Sequence, residues 1–252
     1  MIRINGKIIS PNSIIEKYPA NIVERKIINI LSKSSKVYIY SSLEQLHFEL
    51  KLRSNIVDAS IRLNRSGLTF KVFRKSYCNT DFWERTNEGG FLLKREVSPS
   101  DAINDIFING RKYGTECATA LVIVFYKAVL DIFPKELFNK LFSSIQLMNW
   151  SYLDRNLDIG YYENEADYLP GDCRYFKNPD VNPLTPEWQG ENTIDLGNGK
   201  YYGHGIGITT GEQIIRALNK NRKAGAKKSA YILDSATRPG FNHLAYIYYS
   251  FV

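Results

Sequence analysis

Cysteine and histidine are scarce in this chain of 252 residues, which contains three residues of each type. The cysteines, Cys78, Cys117 and Cys173, form no CxxC pair and show no Cys/His spacing typical of zinc ligands. The sequence therefore predicts no zinc site, and we expect neither a metal nor a cofactor. Three widely spaced cysteines also cannot form a disulfide scaffold. They are typical of a reducing compartment with at least one free thiol.

Long apolar runs are absent as well. No stretch approaches the roughly 18 apolar residues that a membrane-spanning helix requires. The segment Met1–Lys7 lacks the apolar region of a secretory signal. We therefore expect a soluble protein that no recognisable signal exports.

Acidic residues are outnumbered by basic ones, 26 against 33, which gives a formal net charge of +7. A basic protein attracts acidic partners. The densest basic tract, from Lys220 to Lys228, follows a helical segment and contains no aromatic residue. It is either a solvated helix end or a docking patch. No RNA- or DNA-binding motif is present, so nucleic acid is not an expected partner.

The chain does contain the apolar material of a folded domain. Its hydrophobic content of 44% and aromatic content of 13% are those of a globular protein. No repeat, low-complexity tract or long linker divides the chain. We therefore expect a single domain over residues 1–252, in which residues 1–40 form an N-terminal extension.

Helical patterns dominate the first half of the chain and strand patterns the second half. Ser42 and Gln45 form a capping-box pattern that opens an amphipathic helix to about Arg65, and Gly67 is its stop signal. Glycine turns mark β-hairpins near residues 82–94 and 193–204. This order predicts an α+β fold with a mixed or antiparallel sheet.

Cys117 follows Glu116 at the point where a polar turn gives way to an apolar helical run. With Thr115 as the predicted N-cap, Cys117 lies in the first helical turn. Free backbone N–H groups and the helix dipole favour a thiolate at such a position. Catalytic cysteines commonly occupy it, because the thiolate is the nucleophile. The alternative is a cysteine that packs as a small apolar side chain.

A nucleophilic cysteine needs a proton acceptor. His204 has a glycine on each side, which allows another backbone or a substrate to approach. Glu191 lies at the start of the same predicted hairpin. A turn at Gly197–Gly199 would place Glu191 and His204 on facing strands, within one or two residues of direct opposition.

Four segments of the sequence resemble a known family. They are Tyr113-Gly-Thr-Glu-Cys-Ala-Thr-Ala, Gly171-Asp-Cys-Arg-Tyr-Phe-Lys-Asn-Pro179, Trp188-Gln-Gly-Glu-Asn192 and Tyr202-Gly-His-Gly-Ile-Gly207. In order and spacing they are similar to the protein-glutamine γ-glutamyltransferases of spore-forming bacteria. These are small calcium-independent transglutaminases that cross-link spore coat proteins. The similarity spans about Ser41 to Arg238.

The resemblance implies an NlpC/P60-like, distantly papain-like α+β fold, with the nucleophile at a helix N-terminus that meets the sheet. It implies Cys117 as the nucleophile and Glu191 as its principal proton-handling partner. Glu116 resembles the family's second, partly substituting carboxylate. His204 resembles a histidine that lies close to the cysteine.

The implied chemistry is acyl transfer. Cys117 attacks the side-chain amide of a protein glutamine, ammonia leaves, and a lysine amine resolves the thioester to an isopeptide bond. Because a nearby carboxylate raises the pKa of a thiol, Cys117 and Glu191 would share one proton. An aromatic-walled site would exclude water. The candidates for substrate contact are Trp150, Trp188, Tyr175, Phe176 and Asn192, and ordinary core packing is the alternative for the four aromatic residues.

The resemblance also implies spore coat proteins as substrates, and a location in the mother-cell cytoplasm and then at the spore coat surface. Neither a membrane nor a nucleic acid is an expected partner. Two alternatives remain open. One is a cysteine amidase or peptidase of the same fold, which would normally pair its cysteine with a following histidine. The other is a non-catalytic basic coat or nucleic-acid-binding protein.

Overall fold

The computed structural model describes residues 1–20 and 22–252. The helices are α1 (Pro11–Ile15), α2 (Val23–Lys33), α3 (Leu43–Ser66), α4 (Pro99–Ile108), α5 (Cys117–Leu130), α6 (Lys135–Leu141), α7 (Gly211–Lys220) and α8 (Phe241–Phe251). The strands are β1 (Ile2–Ile4), β2 (Lys7–Ile8), β3 (Tyr38–Tyr40), β4 (Thr69–Phe70), β5 (Trp83–Arg85), β6 (Phe91–Leu93), β7 (Gly114–Thr115), β8 (Gln146–Leu147), β9 (Gly160–Glu163), β10 (Cys173–Lys177), β11 (Gly190–Gly197), β12 (Lys200–Gly203), β13 (Gly207–Thr210), β14 (Tyr231–Ile232) and β15 (Ser235–Arg238). The predicted α+β class is confirmed.

Helix α3 begins and ends at the predicted signals. The backbone N–H of Gln45 donates to the Ser42 hydroxyl (3.2 Å), and the backbone N–H of Ser41 donates to the Gln45 side chain (2.6 Å). At the other end Gly67 adopts a left-handed conformation with φ +89°. A side chain at this φ would be strained, so the glycine stops the helix.

Helix α5 is buried along its whole length after Cys117. It packs against α3 and against β11 of the large sheet. A helix that is apolar on every side belongs to a core, and its side chains contribute to the main apolar cluster together with Leu52, Ile56 and Ile194. Each fully buried valine, leucine, isoleucine or phenylalanine side chain stabilises the fold by roughly 1.5–3 kcal/mol. Burial of α5 therefore fixes where its first residue, Cys117, must lie.

The large sheet is antiparallel, with strand order β13-β12-β11-β10-β15-β9 and with β14 added beside β10. The register pairs Phe176 with Glu191, and Thr193 with Gly203. Strand β12 ends at Gly203, whereas β11 extends to Gly190. Residues 190–192 of β11 therefore pair with β10 alone, and this end of the sheet is open toward the start of α5.

Two parts of the fold were not predicted. Before α3, β1 pairs with β2 and with β3, and α2 packs against α3 in a second apolar cluster. After the last strand, α8 packs Leu244 and Ala245 inward beside α3. Its many aromatic residues gave no clear helical pattern, and packing against α3 stabilises it. None of the helices in the described part of the chain is long and apolar enough to cross a membrane.

Candidate active site

Cys117 is the first residue of α5, and the residue is partly exposed. The N-cap is Glu116, not Thr115 as the sequence predicted. The Glu116 carboxylate accepts hydrogen bonds from two backbone N–H groups of the first turn, at 2.7 and 2.6 Å. Thr115 instead pairs with Phe70 in a short parallel ladder between β7 and β4. The carboxylate satisfies two free donors and interacts favourably with the helix dipole, so it takes the capping role.

Thr119 connects this cap to the loop that carries Trp150. Its hydroxyl donates to Glu116 (2.6 Å) and accepts a hydrogen bond from the backbone N–H of Asn149 (2.8 Å). Trp150 packs on Phe125 of α5, with the ring centroids 6.4 Å apart. The predicted wall residue Trp150 therefore lies beside the first turns of the helix that begins with Cys117.

Strand β11 brings amide groups to the sulfur. The side-chain Nδ2 of Asn192 lies 3.6 Å from Cys117 Sγ. The backbone N–H of Asn192 also interacts with the sulfur, and both amides favour the thiolate. They reach Cys117 because β12 ends at Gly203, which leaves this part of β11 facing the N-terminus of α5.

Glu191 is buried, with 6% of its surface exposed, and its Oε1 has no hydrogen-bond partner among the described residues. Burial and the nearby charge of Glu116 raise the pKa of Glu191 well above its usual range. The carboxylate occupies space that Gly203 leaves free: a Cβ at that position would lie 2.7 Å from Glu191 Oε1. The glycine is required there because of this close approach.

The pKa of Cys117 is raised above its usual value, and the causes are burial first, then the charge of Glu191, then the charge of Glu116. The two Asn192 amides lower the pKa but do not outweigh these effects. The thiol and the Glu191 carboxyl therefore hold protons more tightly than either would in water. Groups that interact this closely titrate together, so a proton lost from one changes the pKa of the other.

His204, for which the resemblance implied a position close to the cysteine, is buried in the structure. It directly follows Gly203, the last residue of β12, which pairs with Thr193 of β11 in the predicted hairpin. Its Nδ1, however, lies 3.3 Å from the Tyr202 hydroxyl, and its ring packs near Phe70 with centroids 6.2 Å apart. Burial lowers the pKa of His204 to about 4, so the ring is neutral at pH 7. Within residues 1–20 and 22–252, no hydrogen bond joins it to the cysteine or to Glu191.

Tyr202 contacts His204 and was missed by sequence reasoning. It is 1% exposed, and its pKa is raised by burial and then by the charges of Glu191 and Cys117. It therefore contributes to the same site as the sulfur. The signal was present, because Tyr202 opens the glycine-rich segment that contains His204.

The remaining candidate wall residues separate into two groups. Tyr175 is half-buried, and its pKa is raised by burial and then by the charges of Cys117 and Glu191. Phe176 is 1% exposed and packs edge-on against Tyr201 in a cluster below α7, so it belongs to the core rather than to an open wall. Trp188 is partly exposed and packs against the same cluster, in the turn immediately before β11.

The site thus combines a partly exposed thiol, a buried carboxyl partner and nearby amide donors. These are the groups that acyl transfer through sulfur uses, and the fold and site are suited to a class of cysteine-dependent acyltransferases. Among the residues that the structure describes, no group of three or more His, Cys, Asp or Glu side chains is arranged to hold a metal ion.

Comparison with known proteins gives the family. The sequence profile of the family described as protein-glutamine gamma-glutamyltransferase matches residues 1–248. Over 238 residues the chain is 46% identical to the protein-glutamine gamma-glutamyltransferases of Bacillus mycoides (strain KBAB4) and Bacillus cereus (strain AH820), which covers 94% of this chain and 86% of each relative. The solved structure of a transglutaminase from Geobacillus stearothermophilus, without its C-terminal extension, matches with a TM-score of 0.79 and 54% identity, and covers 82% of this chain and 98% of that chain.

The chain belongs to the protein-glutamine gamma-glutamyltransferase family and is an enzyme of that class. The resemblance identified from the four sequence segments is thereby confirmed, and so is the fold that it implied.

Proposed function

We propose that this enzyme joins proteins by transferring the acyl group of a glutamine side chain to a lysine amine, through a thioester on Cys117. The observation that carries this proposal is the meeting of α5 with β11, which brings Cys117 together with Glu191 and Asn192. Family membership supports the overall reaction. The roles of the individual residues are our assignment from their geometry.

In the first step Cys117 Sγ attacks the carbonyl carbon of the glutamine amide. A C–S bond forms, and the carbonyl oxygen gains negative charge. Two N–H groups of the first turn of α5 are occupied by Glu116, which leaves the N–H of Cys117 available to the substrate. We assign this N–H and the side-chain amide of Asn192 as the donors that stabilise the oxyanion.

In the following steps Glu191 carries the proton. The Cys117 proton passes to Glu191 as the thiolate attacks, and Glu191 then gives it to the departing nitrogen, so that the C–N bond breaks and ammonia leaves. A neutral lysine amine attacks the thioester, a new C–N bond forms and the C–S bond breaks. The proton that the amine loses restores the Cys117 and Glu191 pair. A carboxyl group with a raised pKa suits this exchange near neutral pH.

Water must be kept from the thioester, or the enzyme would act as a glutaminase. We assign this task to Trp150, which follows the Asn149 that bonds Thr119 of α5, and to Tyr175, whose pKa responds to the charges of Cys117 and Glu191 as well as to burial. Trp188 lies in the turn before Glu191 and is the third candidate. Such walls also accept the aliphatic stem of a lysine side chain.

We further propose that the enzyme needs no calcium and no cofactor, that its substrates are spore coat proteins, and that it acts in the mother cell and then at the spore coat. The resemblance of the four sequence segments supports these statements. A cysteine amidase of the same fold is the principal alternative. It is disfavoured because, after burial, the charge of Glu191 is the next cause of the raised pKa of Cys117, whereas His204 Nδ1 lies by the Tyr202 hydroxyl.

The test is incorporation of a fluorescent primary amine into a glutamine-rich protein with a chelator present. We expect incorporation by the wild-type enzyme and none by Cys117→Ala. Cys78→Ala is the matched control, because Cys78 is also a partly exposed free cysteine, whose pKa burial raises to about 11, and it should retain activity. Release of ammonia without incorporation would identify a hydrolase. If the enzyme forms neither the cross-linked product nor ammonia, the proposed enzyme activity is contradicted.

A further inference from the structure

The net charge of this enzyme is concentrated in one short segment. Residues 211–232, which include α7 and the loop after it, contain a single acidic residue, Glu212, and six basic residues: Arg216, Lys220, Arg222, Lys223, Lys227 and Lys228. This segment has a net charge of +5, whereas the whole chain has +7. The rest of the chain is therefore close to neutral, and its basic character is a local property.

Three of these side chains are exposed and have no acidic partner in the described part of the chain. Lys223 forms an ion pair with Asp180 at 3.5 Å. Asp180 also accepts hydrogen bonds from the backbone N–H groups of Lys227 and Lys228, at 3.0 and 2.9 Å, but not from their side chains. Within the described ranges, no carboxylate lies within 4.0 Å of the ammonium groups of Lys220, Lys227 or Lys228. We call these three residues the basic surface.

The loop that carries the basic surface is held in a defined shape. The guanidinium of Arg222 donates to the carbonyls of Lys228 (3.0 Å) and Asn219 (3.2 Å). The Asn219 side chain in turn bonds Ser229 and the backbone N–H of Ala230. A solvated helix end would not need this network. The network fixes the backbone from which Lys227 and Lys228 project, as in a preformed binding surface.

The basic surface lies on the side of the site where Glu191 is found. The side-chain amide of Asn178 donates to the carbonyls of Leu218 in α7 and Trp188, each at 3.0 Å, and so joins the end of α7 to the turn before β11. On the sheet, β14 follows the basic loop and pairs with one side of β10, while the Glu191 end of β11 pairs with the other side. Neighbouring strands lie about 4.8 Å apart, so β14 and β11 are separated by roughly 10 Å.

We propose that the basic surface binds an acidic segment of the protein that supplies the glutamine. This inference rests on the proposed function. The lysine donor carries a positive charge that the basic surface repels, whereas Glu116 and Glu191 lie at the site itself. An acidic segment beside a neutral glutamine matches this charge distribution. An extended peptide spans about 3.3 Å per residue, so the acidic residues should lie roughly three to six residues from the reactive glutamine.

The test compares two peptides, each with one glutamine, that differ only in three residues at this spacing, acidic in one and serine in the other. A saturating small primary amine is the acceptor. At low salt we expect the wild-type enzyme to favour the acidic peptide roughly tenfold in kcat/KM. The triple variant Lys220→Gln, Lys227→Gln, Lys228→Gln should lose this preference and keep its rate with the serine peptide. Salt at about 0.3 M should abolish the wild-type preference, because exposed charges are screened.

The control removes the same charge elsewhere. Lys7→Gln, Lys33→Gln, Lys51→Gln changes three exposed lysines of the N-terminal part of the fold and should leave the preference intact. Binding of a labelled acidic peptide to Cys117→Ala enzyme, followed by fluorescence anisotropy, measures the basic surface without any chemistry. It should weaken about tenfold when the three lysines of the basic surface are also replaced.

Equal use of the two peptides by the wild-type enzyme, or an unchanged preference in the triple variant, would overturn the inference. So would a preference for acidic residues around the lysine of the amine donor instead. If the triple variant loses binding to a polyanion such as DNA while its peptide preference is unchanged, the inference is also overturned. Absence of all amine transfer together with intact acidic-peptide binding would contradict the proposed function alone.

Discussion

Gly203→Ala is the sharpest perturbation of the site, because it adds one carbon atom against Glu191. The new Cβ would lie 2.7 Å from Glu191 Oε1, 3.0 Å from its Cγ and 3.2 Å from its Cδ. Ordinary contacts begin near 3.4 Å. The carboxylate must therefore move by several tenths of an ångström, away from the place where we propose that it exchanges a proton with Cys117.

A displacement of about 1 Å in a catalytic group can lower the rate roughly 100-fold. For a smaller shift we expect kcat for amine incorporation to fall about tenfold to 100-fold. The KM for the glutamine peptide should change little, since Gly203 lies next to the carboxylate and not to the open face. The assay is steady-state incorporation of a fluorescent amine, with ammonia release measured in parallel.

Gly211→Ala is the matched control. A Cβ there would meet Phe176 and Tyr201 at 3.4 Å, an ordinary contact, at the first residue of α7. We expect this variant to keep the wild-type kcat. A folded Gly203→Ala enzyme with an unchanged kcat would refute the placement of Glu191 as the proton-handling partner. A melting temperature close to that of the wild type would exclude misfolding as the cause of any loss.

Two further predictions concern titration and stability. Because the charge of Glu191 raises the pKa of Cys117, Glu191→Gln should shift the pH midpoint of Cys117 alkylation by iodoacetamide to a lower value; an unchanged or higher midpoint would contradict the coupling. Asp172→Asn should reduce the free energy of unfolding by roughly 3–5 kcal/mol, because it leaves the buried Arg53 and the partly buried Arg238 with a weakened partner. An unchanged midpoint of urea unfolding would argue against this. Burial raises the pKa of Asp172, but the two arginines outweigh it and hold that pKa below its usual range. Its contribution should therefore be complete above about pH 3.9 and lost as the pH falls further.

Local signals in the sequence were sufficient for several parts of the fold. The start and the stop of α3 depend on hydrogen bonds and a left-handed glycine within a few residues of the helix ends. The hairpin of β11 and β12 follows from its turn, where Gly197, Asn198 and Gly199 all have positive φ. Such features need no partner from a distant part of the chain, so a sequence pattern can predict them.

Other parts depended on competition between neighbours. Thr115 was a reasonable N-cap, but a ladder with Phe70, which lies far away in the sequence, holds it extended and gives the cap to Glu116. Phe176 was a reasonable wall residue, but packing below α7 places it in the core. Helix α8 forms because α3 covers its inner face, although its own sequence has only a weak helical pattern.

The sequence by itself determined the family, the nucleophile candidate and the approximate pairing of Glu191 with His204, because these are properties of residue type, order and turn spacing. Only the tertiary structure decided the surroundings of each of these two side chains. The early end of β12 opens β11 toward α5, the missing side chain of Gly203 admits the Glu191 carboxylate, and Tyr202 holds the His204 ring in a separate buried contact. Burial then raises the pKa of the thiol and its carboxyl partner together, an effect of desolvation that no sequence spacing contains.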